Sequence, residues 1–286
     1  YFYDARGCEL FDAICRLPEY FPTRTELAIM AAQAPAMDAV LGAGCALIEI
    51  GCGNSEKSRR LLDALRPSTF IAVDIAAEQL KASCDALSQA FPQMTTTALR
   101  ADFEHVVAIP AGILPAHARR VLYFPGSTIG NFTPAAARDF LAQWAPLLGR
   151  GGCALLGVDL KKDPSRLHAA YNDAAGVTAA FNLNLLARFN RELGADFDVP
   201  AFRHKAFYNA AAGRIEMHLE SLCAQTVTIG AQRFGFAAGE TVLTEISCKY
   251  SNDEFRALAR DAGYVPAAVW SDAEHLFAVH LLRLPG

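Results

Sequence analysis

The chain has 286 residues, 52% of them hydrophobic and 20% charged, with a formal net charge of −4. That composition belongs to a globular chain with a sizeable core and excludes a disordered one. No basic stretch marks nucleic acid or an anionic membrane as a partner, and the charge-free run between Arg120 and Arg138 holds Pro125, Gly126, Gly130, Asn131 and Pro134, which argues against a spanning helix.

In chain order, Ala46–Ile50 is a short apolar strand broken by Gly51-Cys-Gly53, and Glu56–Leu65 reads as a helix. Phe70–Val73 forms a second strand ending at Asp74, Ala77–Ala90 a helix, and Thr96–Leu99 a third strand ending near Asp102. Arg120–Phe124 and Ala154–Asp159 are the fourth and fifth strands. Strands alternating with helices predict parallel βαβ units in a doubly wound sheet. Beyond them Pro164–Leu193 is a helical stretch. Arg214–Leu222 alternates, with Ile215, Met217 and Leu219 on one face and Glu216, His218 and Glu220 on the other. Val227–Phe236 and Thr241–Ser247 are strand candidates with a turn at Ala238-Gly239 between them, followed by a helix over Asp253–Ala262 and a last strand over Leu276–Leu282. The fold class is therefore α/β with an added α+β lobe.

The eight cysteines contain no CxxC pair and the seven histidines no HxH or HExxH spacing, so neither a metal site nor a disulfide framework is expected. Reduced thiols point to a cytoplasmic enzyme. The chain opens at Tyr1 inside a dense hydrophobic motif, and a stretch preceding it is expected.

Glu49-Ile-Gly-Cys-Gly-Asn54 follows a strand and precedes a helix, where glycines admit positive φ and close approach of a ligand. A plain structural turn has the same signature. Asp74, ending the next strand, is placed to accept both hydroxyls of a ribose. A dinucleotide site needs a third glycine where this chain has Glu56, and a carboxylate there repels pyrophosphate. S-adenosylmethionine carries a sulfonium and no phosphate, so the acid favours a methyltransferase over an NAD-dependent oxidoreductase. Asp102 and Phe103 offer a carboxylate and a ring for an adenine, or else a surface acid beside a core phenylalanine.

Tyr1-Phe-Tyr-Asp-Ala-Arg-Gly7, Leu17-Pro-Glu-Tyr-Phe-Pro-Thr-Arg-Thr-Glu26, Glu49-Ile-Gly-Cys-Gly-Asn-Ser-Glu-Lys57, Pro125-Gly-Ser-Thr-Ile-Gly-Asn-Phe132, Ala170-Tyr-Asn-Asp-Ala-Ala-Gly-Val-Thr-Ala-Ala-Phe-Asn182, Arg214-Ile-Glu-Met217 and Thr244-Glu-Ile-Ser-Cys-Lys249 closely resemble the ergothioneine-pathway L-histidine Nα-methyltransferases. The likeness runs through nearly the whole chain in order. It implies a class I (Rossmann-like) methyltransferase domain over 25–161 and 251–286, and a substrate-binding domain over 1–24 and 162–250. It puts S-adenosyl-L-methionine against Gly51, Lys57, Asp74, Asp102 and Phe103. It puts histidine against Tyr20, Asn131, Tyr171, Glu245 and Ser247, with Met217 lining the imidazole pocket and Tyr3 near the reacting amine; Tyr3 and Asn131 are the catalytic candidates. The departures, Cys8, Cys52 and Phe21, remove none of these.

Glu245 and Ser247, two apart on a strand, project to one face and offer an imidazole an acceptor and an adaptable hydroxyl. On an isolated strand the same pair would be a solvated polar face. Tyr20, Asn131 and Tyr171 suit an amino acid's carboxylate and amine; each also has a plain reading, the tyrosines as packing residues and Asn131 as a turn residue. Met217 reads as core as readily as site. The resemblance implies the trimethylated betaine, hercynine, as product, with Tyr3 and Tyr20 facing its quaternary charge. A methyltransferase for another amino acid or small amine is the competing reading. The chain is expected to act as a monomer on its small-molecule substrate.

Overall fold

A computed structural model describes residues 2–42, 44–53, 56–103, 108–110 and 112–286. Tyr1, Asn54 and Ser55 of the quoted motifs lie outside the described residues, as does the Glu56 side chain on which the argument against a dinucleotide rests. The chain divides into a smaller unit, Tyr1–Phe21 with Lys162–Cys248, and a larger one, Pro22–Lys161 with Lys249–Gly286.

Helix α1 (Ala5–Ile14) opens the smaller unit. The larger unit follows with α2 (Pro22–Leu41), β1 (Ala46–Ile50), α3 (Glu56–Leu65), β2 (Thr69–Asp74), α4 (Ala77–Ala90), β3 (Thr95–Arg100), β4 (Arg120–Phe124), α5 (Pro134–Leu148) and β5 (Cys153–Asp159). The chain then builds the rest of the smaller unit from α6 (Pro164–Tyr171), α7 (Val177–Leu193), β6 (Phe202–Asn209), β7 (Arg214–Ser221), β8 (Gln225–Ile229), β9 (Gln232–Phe236) and β10 (Thr241–Cys248). It returns with α8 (Asn252–Asp261), β11 (Val265–Ser271) and β12 (Phe277–Arg283).

The larger unit's sheet has the order β11-β12-β5-β4-β1-β2-β3. Strands β1 to β5 are mutually parallel, as their alternation with helices predicts, whereas β12 runs antiparallel to β5 and β11 antiparallel to β12. The edge strand β11 carries Pro266, which cannot donate to a ladder and hid the strand from a sequence reading. Segments such as Leu47-Ile-Glu-Ile50 are apolar almost without alternation because both faces of a parallel sheet are covered. Leu47, Phe70, Tyr123 and Val279 enter one core with Met37 of α2, Leu61 of α3 and Leu80 of α4. On the opposite face Phe124 stacks on Phe140 of α5 with centroids 4.9 Å apart, and His280 lies 4.8 Å from Phe255 of α8. The parallel strands all finish on one edge, and the order reverses about β1, which is where open α/β sheets bind ligands.

In the smaller unit β10, β7 and β6 form an antiparallel sheet, and β8 pairs only with β9 in a separate hairpin. Three readings are corrected here. The helical stretch Pro164–Leu193 is two helices, because Gly176 adopts φ +71° and the Asp173 carboxylate accepts the Val177 and Thr178 N–H groups to start a new one. Val227–Phe236 is two strands, turned at Gly230, whose φ is +58°. The Ala238-Gly239 turn does not join a hairpin, since β10 pairs with β7. On β7 the expected faces hold: Ile215, Met217 and Leu219 are buried, while Glu216 and Glu220 pair with Arg214 at 2.8 Å and Arg203 at 2.7 Å.

Among the described residues no helix is long and apolar enough to cross a membrane, and the eight cysteines are free thiols. The chain's re-entry into the larger unit is fixed by Lys249, whose ammonium lies 2.7 Å from the Asp159 carboxylate, both side chains 1% exposed. Removing one partner takes from the other its opposite charge at 2.7 Å in a buried setting. Lys249→Met is therefore expected to lose about 3–5 kcal/mol of stability, read as a lower denaturant midpoint, and Asp159→Asn added to it should restore much of that loss.

Candidate functional site

At the carboxyl edge of the larger unit's sheet, β1 ends at Gly51, whose φ of +71° strains any side chain; its N–H bonds the Val73 carbonyl at 2.9 Å. Gly53 accepts from the Ser83 hydroxyl of α4 at 2.8 Å, which ties the glycine turn to that helix. Asp74 closes β2, with one carboxylate oxygen accepting the Ala76 N–H at 2.9 Å. Beyond β3, Asp102 is exposed, and the half-buried Phe103 meets Phe124 of β4 edge-on at 5.8 Å. After β4, Pro125–Asn131 makes a tight turn that leaves Asn131 exposed. Ser127 in that turn has φ +59°, uncommon for a non-glycine residue, and its hydroxyl accepts the Asp159 N–H at 2.9 Å. Gly51, Asp74, Asp102, Phe103 and Asn131 thus lie at successive strand ends along one edge.

Two buried carboxylates underlie this edge. Glu26 of α2, 0% exposed, pairs with Lys57 Nζ at 2.7 Å and accepts the Gly126 N–H at 2.9 and 3.1 Å. It also lies over Gly157 of β5, where a Cβ would stand 2.1 Å from its Oε1. Lys57, at the start of α3, and the turn leading to Asn131 are therefore fastened to one side chain. Glu49 of β1 is 1% exposed, and its Oε2 has no hydrogen-bond partner among the described residues. Burial pushes its carboxyl up to about 8, with Glu26 and Asp74 reinforcing and Lys57 opposing.

The smaller unit gathers the other expected residues. Asp4 caps α1 by accepting the Gly7 N–H at 2.7 Å, and it receives Asn184 at 2.9 Å and Arg191 at 2.5 Å from α7. These donors outweigh burial and hold the Asp4 carboxyl below its usual range. The clamp brings an aromatic cluster together: Tyr3 meets the Phe11 ring edge-on at 5.6 Å, Tyr20 meets it at 6.4 Å, and Phe181 lies 6.1 Å from it. Tyr3 is 42% exposed and Tyr20 half-buried. Tyr171 ends α6, buried, its carbonyl 2.9 Å from His204 Nε2 of β6. In the sheet Glu245 of β10 is paired across from Met217, and Ser247 across from Ile215, so the acid, the hydroxyl and the methionine share one face.

Sequence reasoning passed over Glu26, Glu49, Asn182 and Lys249. Each closes or opens a quoted motif, and a charged or amide side chain inside an otherwise apolar helix or strand is the signal that would have marked it. Among the described residues no three His, Cys, Asp or Glu side chains gather as a metal site.

Glu49 also sets a pH dependence. A carboxyl neutral in the folded chain and ionised in the unfolded one lets the folded state bind more protons, so stability falls as pH rises from about 4.5 towards about 8 and then levels. Its contribution is a slope of about 1.4 kcal/mol per pH unit. Denaturant midpoints followed across that range should fall less steeply in Glu49→Gln than in the parent chain.

Residues 1–284 match the family model described as histidine-specific, SAM-dependent methyltransferase. The chain is 45% identical to the histidine N-alpha-methyltransferase of Mycolicibacterium smegmatis and 44% identical to that of Mycobacterium tuberculosis, over 98% of this chain and 88% of each relative. Among solved structures, the 1,6-didemethyltoxoflavin-N1-methyltransferase of Burkholderia thailandensis matches with a TM-score of 0.50 over 98% of this chain and 89% of that one; at 12% identity the likeness shows the methyltransferase fold alone. The strand order and the full-length family match lead to one assignment, and the chain belongs to the histidine-specific, SAM-dependent methyltransferases.

Proposed function

We propose that this protein methylates the α-amino nitrogen of L-histidine, using S-adenosyl-L-methionine, through to the trimethylated betaine hercynine of ergothioneine biosynthesis. The observation that carries the substrate reading is the placement of Glu245 and Ser247 on the Met217 face of the smaller unit's sheet. An acid, a hydroxyl and a soft apolar side chain on one patch suit an imidazole, which has two polar nitrogens and a flat apolar ring. Tyr20, Tyr171 and Asn131 are the proposed partners of the substrate's carboxylate and amine, and Tyr3 is the residue proposed nearest the reacting nitrogen.

The edge of the larger unit fits the cofactor. A Cβ at Gly51 would meet no atom of the described residues within 4 Å, so backbone is open there, and the Asp74 carboxylate at the next strand end favours a cationic ligand over a phosphate. Gly51, Lys57, Asp74, Asp102 and Phe103 are the residues proposed to hold it. When bound, S-adenosylmethionine supplies the methyl group as an electrophile on sulfur. The chain's own task is to present an unprotonated amine in line. Losing that proton costs about 1.4–2.8 kcal/mol near neutral pH, whereas correct positioning contributes about 7–11 kcal/mol. Orientation therefore dominates, and no single side chain is assigned as an indispensable base. The protein is proposed to act as a monomer in the cytoplasm.

Mass spectrometry of histidine incubated with the protein and S-adenosylmethionine is expected to show three successive methyl additions; no addition, or a stop at one with cofactor in excess, would refute the assignment. Glu245→Gln should lower kcat/KM for histidine about ten- to a hundredfold while leaving affinity for S-adenosylhomocysteine unchanged. Glu26→Gln should do the converse, weakening S-adenosylhomocysteine about tenfold by releasing Lys57 from its buried partner. Calorimetry separates the two.

A further inference from the structure

Strand β10 contains an irregularity that decides which way Glu245 faces. In an unbroken strand Thr244 would stand across from Met217 and Ile246 across from Ile215, because one residue of register reverses every side chain. Glu245 and Ser247 would then join Glu216 and His218 on the opposite face. Apolar burial alone favours that arrangement, since it places Ile246 against Ile215. The observed pairs are Leu243 with His218 and Glu245 with Met217, so Thr244 is an additional residue, a β-bulge, and the strand beyond it, Glu245 to Cys248, is turned over.

The bulge is held by a network within the smaller unit. Thr244 Oγ1 lies 2.8 Å from Asn182 Oδ1 and 3.0 Å from the Met217 carbonyl. Asn182 of α7 is 0% exposed; its amide nitrogen donates to the His218 carbonyl at 3.0 Å and lies 3.0 Å from His204 Nδ1. His204 Nε2 in turn lies 2.9 Å from the Tyr171 carbonyl. Carbonyl oxygens only accept, so those of Tyr171 and His218 fix the ring and amide protons: Nε2–H to Tyr171, Nδ1 accepting one Asn182 hydrogen and the His218 carbonyl the other, which leaves Asn182 Oδ1 and the Met217 carbonyl as the two acceptors for the one Thr244 hydroxyl hydrogen.

We propose that Asn182 is a positioning residue for substrate recognition, holding the Thr244 bulge that aims Glu245 and Ser247. The inference rests on the reading of those two side chains as the imidazole grip. It makes Asn182 and Thr244 determinants of specificity that act through a strand's register.

Thr244→Val removes the hydroxyl at nearly constant volume, and Thr244→Ser keeps it. The valine variant is expected to raise KM for histidine roughly tenfold or more with S-adenosylhomocysteine affinity unchanged by calorimetry; the serine variant should return to within about twofold. Asn182→Leu should behave as the valine variant does. On a Glu245→Gln background Thr244→Val should add little, because the group it aims is already altered. A crystal structure of Thr244→Val is expected to show changed register or disorder confined to 243–247. The proposal is overturned if that structure keeps Glu245 opposite Met217, if the valine and parent kinetics agree, if the effects of Thr244→Val and Glu245→Gln are fully additive, or if valine and serine alike abolish folding and S-adenosylhomocysteine binding. Unchanged histidine turnover in Glu245→Gln alone would instead refute the substrate reading, and the crystal structure would still judge the bulge.

Discussion

The larger unit turns on the Glu26 carboxylate. A charged group sealed from water is costly unless paired and hydrogen-bonded. Glu26 meets both conditions with Lys57 and the Gly126 N–H, and it occupies space that only a glycine at 157 leaves open. One side chain thereby joins α2, the start of α3, the turn after β4 and the middle of β5. Those are the segments that bring the glycine turn and the Pro125–Asn131 turn to the same sheet edge. With the carboxylate gone, Lys57 would be an unpaired cation near the expected cofactor position. Glu49 beside it stands otherwise: its Oε2 has no hydrogen-bond partner among the described residues, and burial raises its affinity for a proton against the opposing pull of Ser58 and Lys57.

The smaller unit solves an analogous problem by another device. Its side chains are aimed by hydrogen bonds that override apolar patterning. Asn182 places both amide hydrogens on acceptors inside the unit and turns its oxygen to the Thr244 hydroxyl, which fixes the orientation of the amide and the tautomer of His204. Burial lowers the His204 pKa, which keeps the ring neutral and so able to accept from Asn182. The aromatic cluster of Tyr3, Phe11, Tyr20 and Phe181 is similarly assembled by a polar clamp, the Asp4 carboxylate, and not by apolar contact alone. In both units the rigid apolar framework supplies a surface, and a few buried polar contacts select what it presents.

This division explains what was legible in the sequence. The first five strands and the helices over 56–65 and 77–90 could be read because apolar runs, glycine breaks and helical periodicity are local signals. The alternation of Ile215, Met217 and Leu219 was legible for the same reason. Pairing partners were not: nothing local distinguishes β10 paired with β7 from β10 in a hairpin with β9, and β6 hides behind the polar Arg203-His-Lys205. The bulge was invisible because Val242, Thr244, Ile246 and Cys248 alternate as a regular strand would, which places Glu245 on the outside. That Glu245 and Ser247 share a face could be inferred from their spacing, but which face depends on Asn182, more than sixty positions away. Glu26 and Lys249 were quoted within motifs, yet their burial is a tertiary fact that no window of sequence contains.

On the proposed reading, the chemistry itself dictates where recognition must be concentrated. Each methylation replaces an N–H of the substrate's amine, and the betaine has none left, so a site that gripped histidine through that amine would loosen at every turn. The imidazole and the carboxylate are unchanged throughout. Contacts to the ring from Glu245 and Ser247 hold equally well in the first and the last cycle, whereas groups near the nitrogen have only to tolerate growing bulk and a fixed positive charge, which aromatic faces do. A polar grip set by strand register at the ring, and an aromatic cluster with Tyr3 and Tyr20 for the amine, divide the work along that line. Precision is then needed at the end of the substrate that does not react, and the Thr244 bulge with its buried Asn182 partner is where this chain spends polar structure to obtain it.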